Sequence, residues 1–138
     1  MNANALEKNK IIYPELSYKI VGILFKVHSE LGNKYQEKYY QRAIAIELEK
    51  QGILFKKELM VDLMYDNEKI GKYFIDFLIE DLIVLEIKAN INFRISDYKQ
   101  VSAYLKSKDI KLGILANFRT EQLIYKRIIN PQINNYSH

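Results

Sequence analysis

Three charged residues interrupt stretches that otherwise read as buried strand. Asp76 lies inside Phe74-Ile75-Asp76-Phe77-Leu78, and Glu86 and Lys88 lie inside Val84-Leu85-Glu86-Ile87-Lys88. Burying a charge is costly unless it is paired or bound to a metal, so these three need partners. Glu86 and Lys88 are two residues apart, which puts them on one face of a strand and about 6.6 Å apart along it. Two carboxylates form a hard oxygen site suited to magnesium. A cation held there lowers the pKa of water and offsets charge on a phosphate, while a lysine orients the water or stabilises developing negative charge. The same spacing also fits an Asp–Lys–Glu salt-bridge cluster that ties two strands together, because buried ion pairs occur without catalysis.

For Asp76 to join the other two across an antiparallel hairpin it must stand opposite Glu86, which requires a turn with an odd number of residues, such as Glu80-Asp81-Leu82. A two-residue turn would put Asp76 opposite Leu85 and send Glu86 to the far face. The run Leu82-Ile83-Val84-Leu85 is apolar on both faces, so Ile83 to Lys88 should be a central strand covered on both sides.

The elements that must position this hairpin are legible on either side of it. Pro14 and Glu15 open a segment in which Leu16, Ile20, Ile23, Leu24, Val27 and Leu31 recur at helical spacing, stopped by Gly32-Asn33. A second amphipathic helix begins near Tyr35 to Glu37, carries Tyr40, Ala43, Ile44 and Leu48 on one stripe, and ends at Gly52. Together they form an α-hairpin. Alternation over Ile53 to Tyr65, a turn at Asp66-Asn67-Glu68-Lys69 and alternation over Ile70 to Ile79 predict two strands. Ser96 is a candidate N-cap for a helix from Asp97 to about Ser107, with Val101, Tyr104 and Leu105 inward. Leu112 to Phe118 reads as a buried strand. Thr120 to Ile129 suits a helix or an edge strand, and its Ile-Tyr-Lys-Arg-Ile-Ile stretch favours the strand.

Length and composition bound the rest. A chain of 138 residues, 49% hydrophobic and 28% charged, is that of one globular domain, expected to span 1–138 with flexible ends near 1–12 and 131–138. With no cysteine and two histidines, His28 and His138, neither a disulfide framework nor a Cys-based zinc centre is available, so any metal is held by oxygen. No apolar run approaches the ~20 residues that span a membrane, so a cytoplasmic location is expected. Twenty-one basic against 17 acidic residues give a net charge of +4, compatible with a phosphate-backbone partner. His28 reads as a satisfied buried histidine, and Tyr35, Tyr39, Tyr73 and Phe77 fall within apolar patterns expected to be core.

Asp76, nine intervening residues, then Glu86-Ile87-Lys88 resembles the signature of the PD-(D/E)xK nuclease superfamily. Its core, a helix, a three-stranded meander, a crossover helix and a further strand, matches the order read above. Leu31-Gly32 followed by Glu37 and Tyr40, after a helix containing Val27-His28, is similar to the bacterial and archaeal GxxExxY proteins of that superfamily, and Leu115-Ala116-Asn117-Phe118 resembles their last buried strand. The resemblance runs from about Leu16 to Ile129 and departs where Lys34 replaces the motif's glycine. Gln100 and Tyr104, four apart on one helical face, resemble a Gln-xxx-Tyr element of exonuclease-like members.

The resemblance implies an α/β fold with a restriction-endonuclease-like core, a mixed central sheet of about four to five strands flanked by helices. It implies catalytic Asp76, Glu86, Lys88 and Gln100, with Glu37, Tyr40 and Tyr104 as possible support. It further implies a magnesium site, with manganese able to substitute, on Asp76, Glu86 and the Ile87 carbonyl, with Glu37 as a fourth acid near the metal. Glu37 also fits a bland role, since a carboxylate at a helix start is favoured by the helix dipole. Lys88, Arg94, Lys99, Lys106, Lys108 and Lys111 form a basic rim suited to phosphates, and Arg94, Lys99, Gln100 and Lys106 are the expected nucleic-acid contacts. The implied activity is metal-dependent hydrolysis of DNA. The rival is an inactive nucleic-acid-binding or protein-interaction module that keeps the fold. No separate DNA-recognition element is visible, which points to low sequence specificity or to a homodimer or partner protein that supplies it.

Overall fold

The computed structural model describes residues 12–132. The ends expected to be flexible lie almost wholly outside the described residues. Helix α1 (Pro14–Leu31) and helix α2 (Glu37–Lys50) form the expected hairpin, followed by strands β1 (Phe55–Tyr65), β2 (Glu68–Ile79) and β3 (Ile83–Lys88). Helix α3 (Ile95–Lys108) then crosses to β4 (Leu112–Asn117), and β5 (Ile124–Ile129) completes the sheet. The strand order is 1-2-3-4-5, antiparallel except for the parallel β3–β4 pair that the α3 crossover requires.

Three layers result. Ile20, Ile23, Leu24 and Val27 of α1 and Tyr40, Ile44 and Leu48 of α2 pack on one face of the sheet, against Phe77, Ile79, Ile83, Leu85, Ile87 and Ile114. Val101, Tyr104 and Leu105 of α3 cover the other face, against Ile75, Leu78 and Val84. Strand β3 is therefore enclosed on both sides, as its unbroken apolar run requires. Across the two helices, the Glu47 carboxylate takes Lys26 at 3.1 Å and Lys50 at 3.7 Å.

Local chemistry fixes several boundaries. Pro14 is pre-set for the first turn of α1, and Gly32 ends that helix at φ 78°, a backbone region open to glycine. Asp66 and Asn67, both at positive φ, close the β1–β2 hairpin in two residues, so β2 begins at Glu68, inside the longer turn expected from the sequence. The cap of α3 is Arg94, two residues before the expected Ser96; Asp97 in the first turn reaches back, accepting a bond from the Arg94 N–H at 2.9 Å. Tyr35 and Tyr39, expected in the core, are 47% and 42% exposed and meet edge-on at 6.0 Å. Tyr35 lies in the loop before α2 and Tyr39 in its first turn. Strand wins over helix for β5, because its backbone pairs with β4 along its whole length.

Gly113 is where α3 comes closest to the sheet. A Cβ there would stand 2.6 Å from Val101 Cγ1 and 3.5 Å from Leu105 Cδ1, both buried. Gly113→Ala is expected to destabilise the domain by about 1–3 kcal/mol, the usual cost of overpacking a tight core, read as a lower chemical-denaturation midpoint with an unchanged slope.

Candidate active site

The turn between β2 and β3 has three residues, Glu80 to Leu82, with Glu80 and Asp81 at φ 54° and 57°. This odd turn sets the register Ile79↔Ile83, Leu78↔Val84 and Phe77↔Leu85, which brings Asp76 alongside Glu86 as the parity argument required. At that point side chains replace the backbone ladder. The Asp76 N–H donates to Glu86 Oε1 at 3.0 Å, and the Ile87 N–H donates to Asp76 Oδ2 at 2.7 Å.

The neighbouring strand breaks at the same level. Lys57 pairs with Phe77 and Leu59 with Ile75, but Glu58, opposite Asp76, leaves the ladder with φ 55°. Beyond it Leu59 and Val61 face α3, whereas Phe55 before it faces the helical hairpin. Strand β2 slips likewise, since Ile75 and Leu78, three apart, both pack toward α3. A non-glycine residue in the left-handed region costs roughly 1–2 kcal/mol, and here it accompanies the change of face beside Asp76. Released from strict alternation, Asp76 turns its Oδ1 to Gln41 Nε2 of α2, 3.0 Å away.

Glu86 is 3% exposed. Burial first, and then the Asp76 carboxylate beside it, push the Glu86 carboxyl up to about 9. Burial also raises Asp76, against the opposing pull of its bonds from Ile87 and Gln41 and of the Lys88 charge. Both carboxyls are thus held above the usual carboxylate range, the direction expected of two acids set side by side away from water. Lys88 Nζ lies 3.7 Å from Oδ1 of buried Asp97, whose other oxygen is bound to Arg94 N. Asp97 thus fixes the lysine from the α3 side.

Of the other expected residues, Glu37 opens α2 and its Oε2 accepts a long bond, 3.4 Å, from Ala89 N, just past Lys88. Tyr40 is fully buried and ties the α1–α2 loop: its hydroxyl donates to Gly32 O at 2.6 Å and accepts from Tyr35 N at 3.2 Å. His28 is buried, with Nε2 2.9 Å from the Thr120 carbonyl. Gln100 is half-buried, and its carbonyl accepts from Tyr73 Oη at 3.1 Å. Tyr104 is core; the charges that act on its phenol, after burial, are Lys56 and Asp81 at the other end of β3. The tyrosine that feels Glu86 is Tyr73, raised by burial and by that carboxylate. Lys99 and Lys106 share the outer face of α3 with Ser102 and Ala103, whereas Arg94 lines a separate cavity beside Ala89.

Gln41, Asp97 and Tyr73 are contributors that the sequence reading did not assign to the site. Among the described residues no three His, Cys, Asp or Glu side chains converge into a ready metal cage. A cation would therefore draw on Asp76, Glu86 and backbone or water oxygen.

A protein-family model described as the PD-(D/E)XK nuclease superfamily matches residues 14–128. The chain belongs to this superfamily. The match runs from the start of α1 into β5 and takes in Asp76 and Glu86-Ile87-Lys88. No curated protein matches the chain. Among solved structures, the crystal structure of SSO0001 has a TM-score of 0.46 at 14% identity, covering 97% of this chain and 76% of that one. An alkaline exonuclease (LHK-Exo) from Laribacter hongkongensis has a TM-score of 0.45 at 14% identity, covering 92% and 75%. Among the described residues no helix is long and apolar enough to cross a membrane.

Proposed function

We propose that this PD-(D/E)XK domain hydrolyses DNA phosphodiester bonds with magnesium, or manganese in its place, at Asp76, Glu86 and Lys88. The observation that carries the reading is the Asp76–Glu86 pair, two acids brought side by side by register, with Glu86 buried and Asp76 half-buried. Lys88 makes its ion-pair contact with Asp97, while its charge still reaches both acids of the pair. The oxygen-only donor set fits a hard cation. Asp76 and Glu86 would hold it, with the Ile87 carbonyl as a third ligand and Glu37 as a further acid at the rim.

Bound there, the cation supplies Lewis acidity to the phosphate and a lowered pKa to water. The chain's own groups do the rest. Lys88, held from the α3 side by Asp97, orients the attacking water and offsets charge developing on the phosphate. Gln41 and the Ile87 N–H fix the rotamer of Asp76. Gln100, on the half-buried side of α3, contacts DNA or steadies Lys88, and the basic groups Arg94, Lys99 and Lys106 attract the backbone. Glu37 and Tyr40, spaced as in the GxxExxY proteins, support assignment to that group, with Tyr40 holding the loop before Glu37.

Labelled single- and double-stranded DNA incubated with magnesium, manganese or EDTA tests the proposal. Cutting is expected with either metal and not with EDTA, and Asp76→Ala should lower it by at least about 100-fold, as for loss of a group that stabilises transition-state charge. Metal-independent cutting, or cutting unchanged in Asp76→Ala, would refute the site. Binding without cutting by any form would favour an inactive module.

A further inference from the structure

Directly after Lys88 the β3–α3 loop bounds an open cavity of about 450 Å³, with Arg119 on its opposite wall, a size in the range of small-ligand sites. We propose that this cavity is a nucleotide subsite: a backbone phosphate flanking the scissile linkage lies on Arg119 and Arg94, with its base against Phe93. The inference rests on the nuclease reading of Asp76, Glu86 and Lys88.

The charges argue for an anion. No carboxylate lines the cavity, and among the described residues neither Arg94 nor Arg119 has an acid within ion-pair distance. The Arg119 guanidinium is held by three backbone carbonyls, Asn33 O at 2.8 Å, Tyr35 O at 3.0 Å and Ala89 O at 3.4 Å. Those bonds use three of its five N–H donors and leave two. A clamp between loops does not by itself require a permanent cation, because carbonyls need only donors. A fixed guanidinium with no counter-charge and spare donors is suited to a phosphate.

The cavity is also built to hold its distance from Lys88. Asn117, at the end of β4, grips the next loop residue from both sides: its Oδ1 accepts from Asn90 N at 3.1 Å, and its Nδ2 donates to Asn90 O at 2.6 Å. The Phe118 N–H donates to Lys88 O at 2.8 Å. The Phe93 ring, half-buried and braced edge-on by Tyr98 at 5.8 Å, offers a face on which any base can stack.

The test measures binding in EDTA, apart from cleavage. Fluorescein-labelled octathymidylate is titrated into wild type, Arg94→Gln, Arg119→Gln and Phe93→Ala over a series of salt concentrations. Each arginine variant is expected to flatten the dependence of log Kd on log salt by about 0.7, the value for one phosphate contact on a single strand. Phe93→Ala is expected to weaken binding about tenfold, within the range for one stacked base, without changing the slope. Among the described residues Arg94 makes no side-chain hydrogen bond or ion pair, so its variant remains informative if Arg119→Gln loosens the loops. Wild-type slopes in both arginine variants would overturn the subsite, even with normal magnesium-dependent cutting. Flattened slopes with no cutting under any metal would overturn the nuclease reading and leave a nucleotide-binding cavity.

Discussion

Glu86→Gln should make the metal-free protein more stable while abolishing hydrolysis. Burial and the Asp76 charge hold the Glu86 carboxyl at about 9, against an ordinary 4.5. Between those values the folded state binds more protons than the unfolded one, so stability falls as pH rises through this window. Wild type in EDTA should therefore melt lower at pH 9 than at pH 5. Glutamine keeps an oxygen to accept from Asp76 N, adds a donor toward the Asp76 carboxylate and never ionises. It should flatten the pH dependence and, at pH 8, gain about 1–2 kcal/mol, one pKa unit being worth about 1.4 kcal/mol, or a rise in Tm of roughly 3–6 °C for a domain of this size. Magnesium should raise the Tm of wild type and not of the variant, because the cation binds only the folded acid pair. A variant that melts below wild type in EDTA at pH 8 would show that the two carboxylates do not oppose each other. The expected pattern is a stability gain purchased with function.

The central part of this site is legible in the sequence because it follows from parity. Once Val84 to Lys88 must be covered on both faces, only an odd turn after Ile79 lets Asp76 meet Glu86, and Glu80 to Leu82 provides it. Burial and pairing act over few residues there, so pattern suffices. Gln41 could have been found the same way, since it stands one helical turn after Glu37, on the same face of α2. Asp97 was hidden because the cap of α3 is an arginine, a residue with no capping preference, and attention to Ser96 masked the carboxylate beside it. The fault at Glu58 has no local signal: Lys57-Glu58-Leu59 reads as ordinary strand, and its left-handed backbone reflects the sheet around it. That fault also decides which tyrosine approaches the acids. Alternation alone cannot tell Tyr73 from Tyr104, because their distance from Glu86 depends on where β2 changes face and where along α3 each contact falls.

Lys88→Met is expected to lower the hydrolysis rate by about 10²–10³-fold, the usual loss when a donor aimed at transition-state charge is removed. Methionine preserves the length and packing of the lysine stem, so circular dichroism should not change. The rate loss alone would not say how the lysine acts, and Asp97 separates the possibilities. Its carboxylate, itself buried and 3.7 Å from Nζ, holds the head of the lysine in place. Asp97→Asn withdraws that support while keeping an oxygen for the Arg94 N–H, so the α3 cap survives. If Lys88 must be held in place to act, Asp97→Asn should lower kcat, by less than Lys88→Met does, and leave KM little changed. A lysine that acts without Asp97 would leave kcat at the wild-type value in Asp97→Asn. The contact with Asp97, set inside the first turn of α3, therefore aims Lys88 at the place where the phosphate gains negative charge.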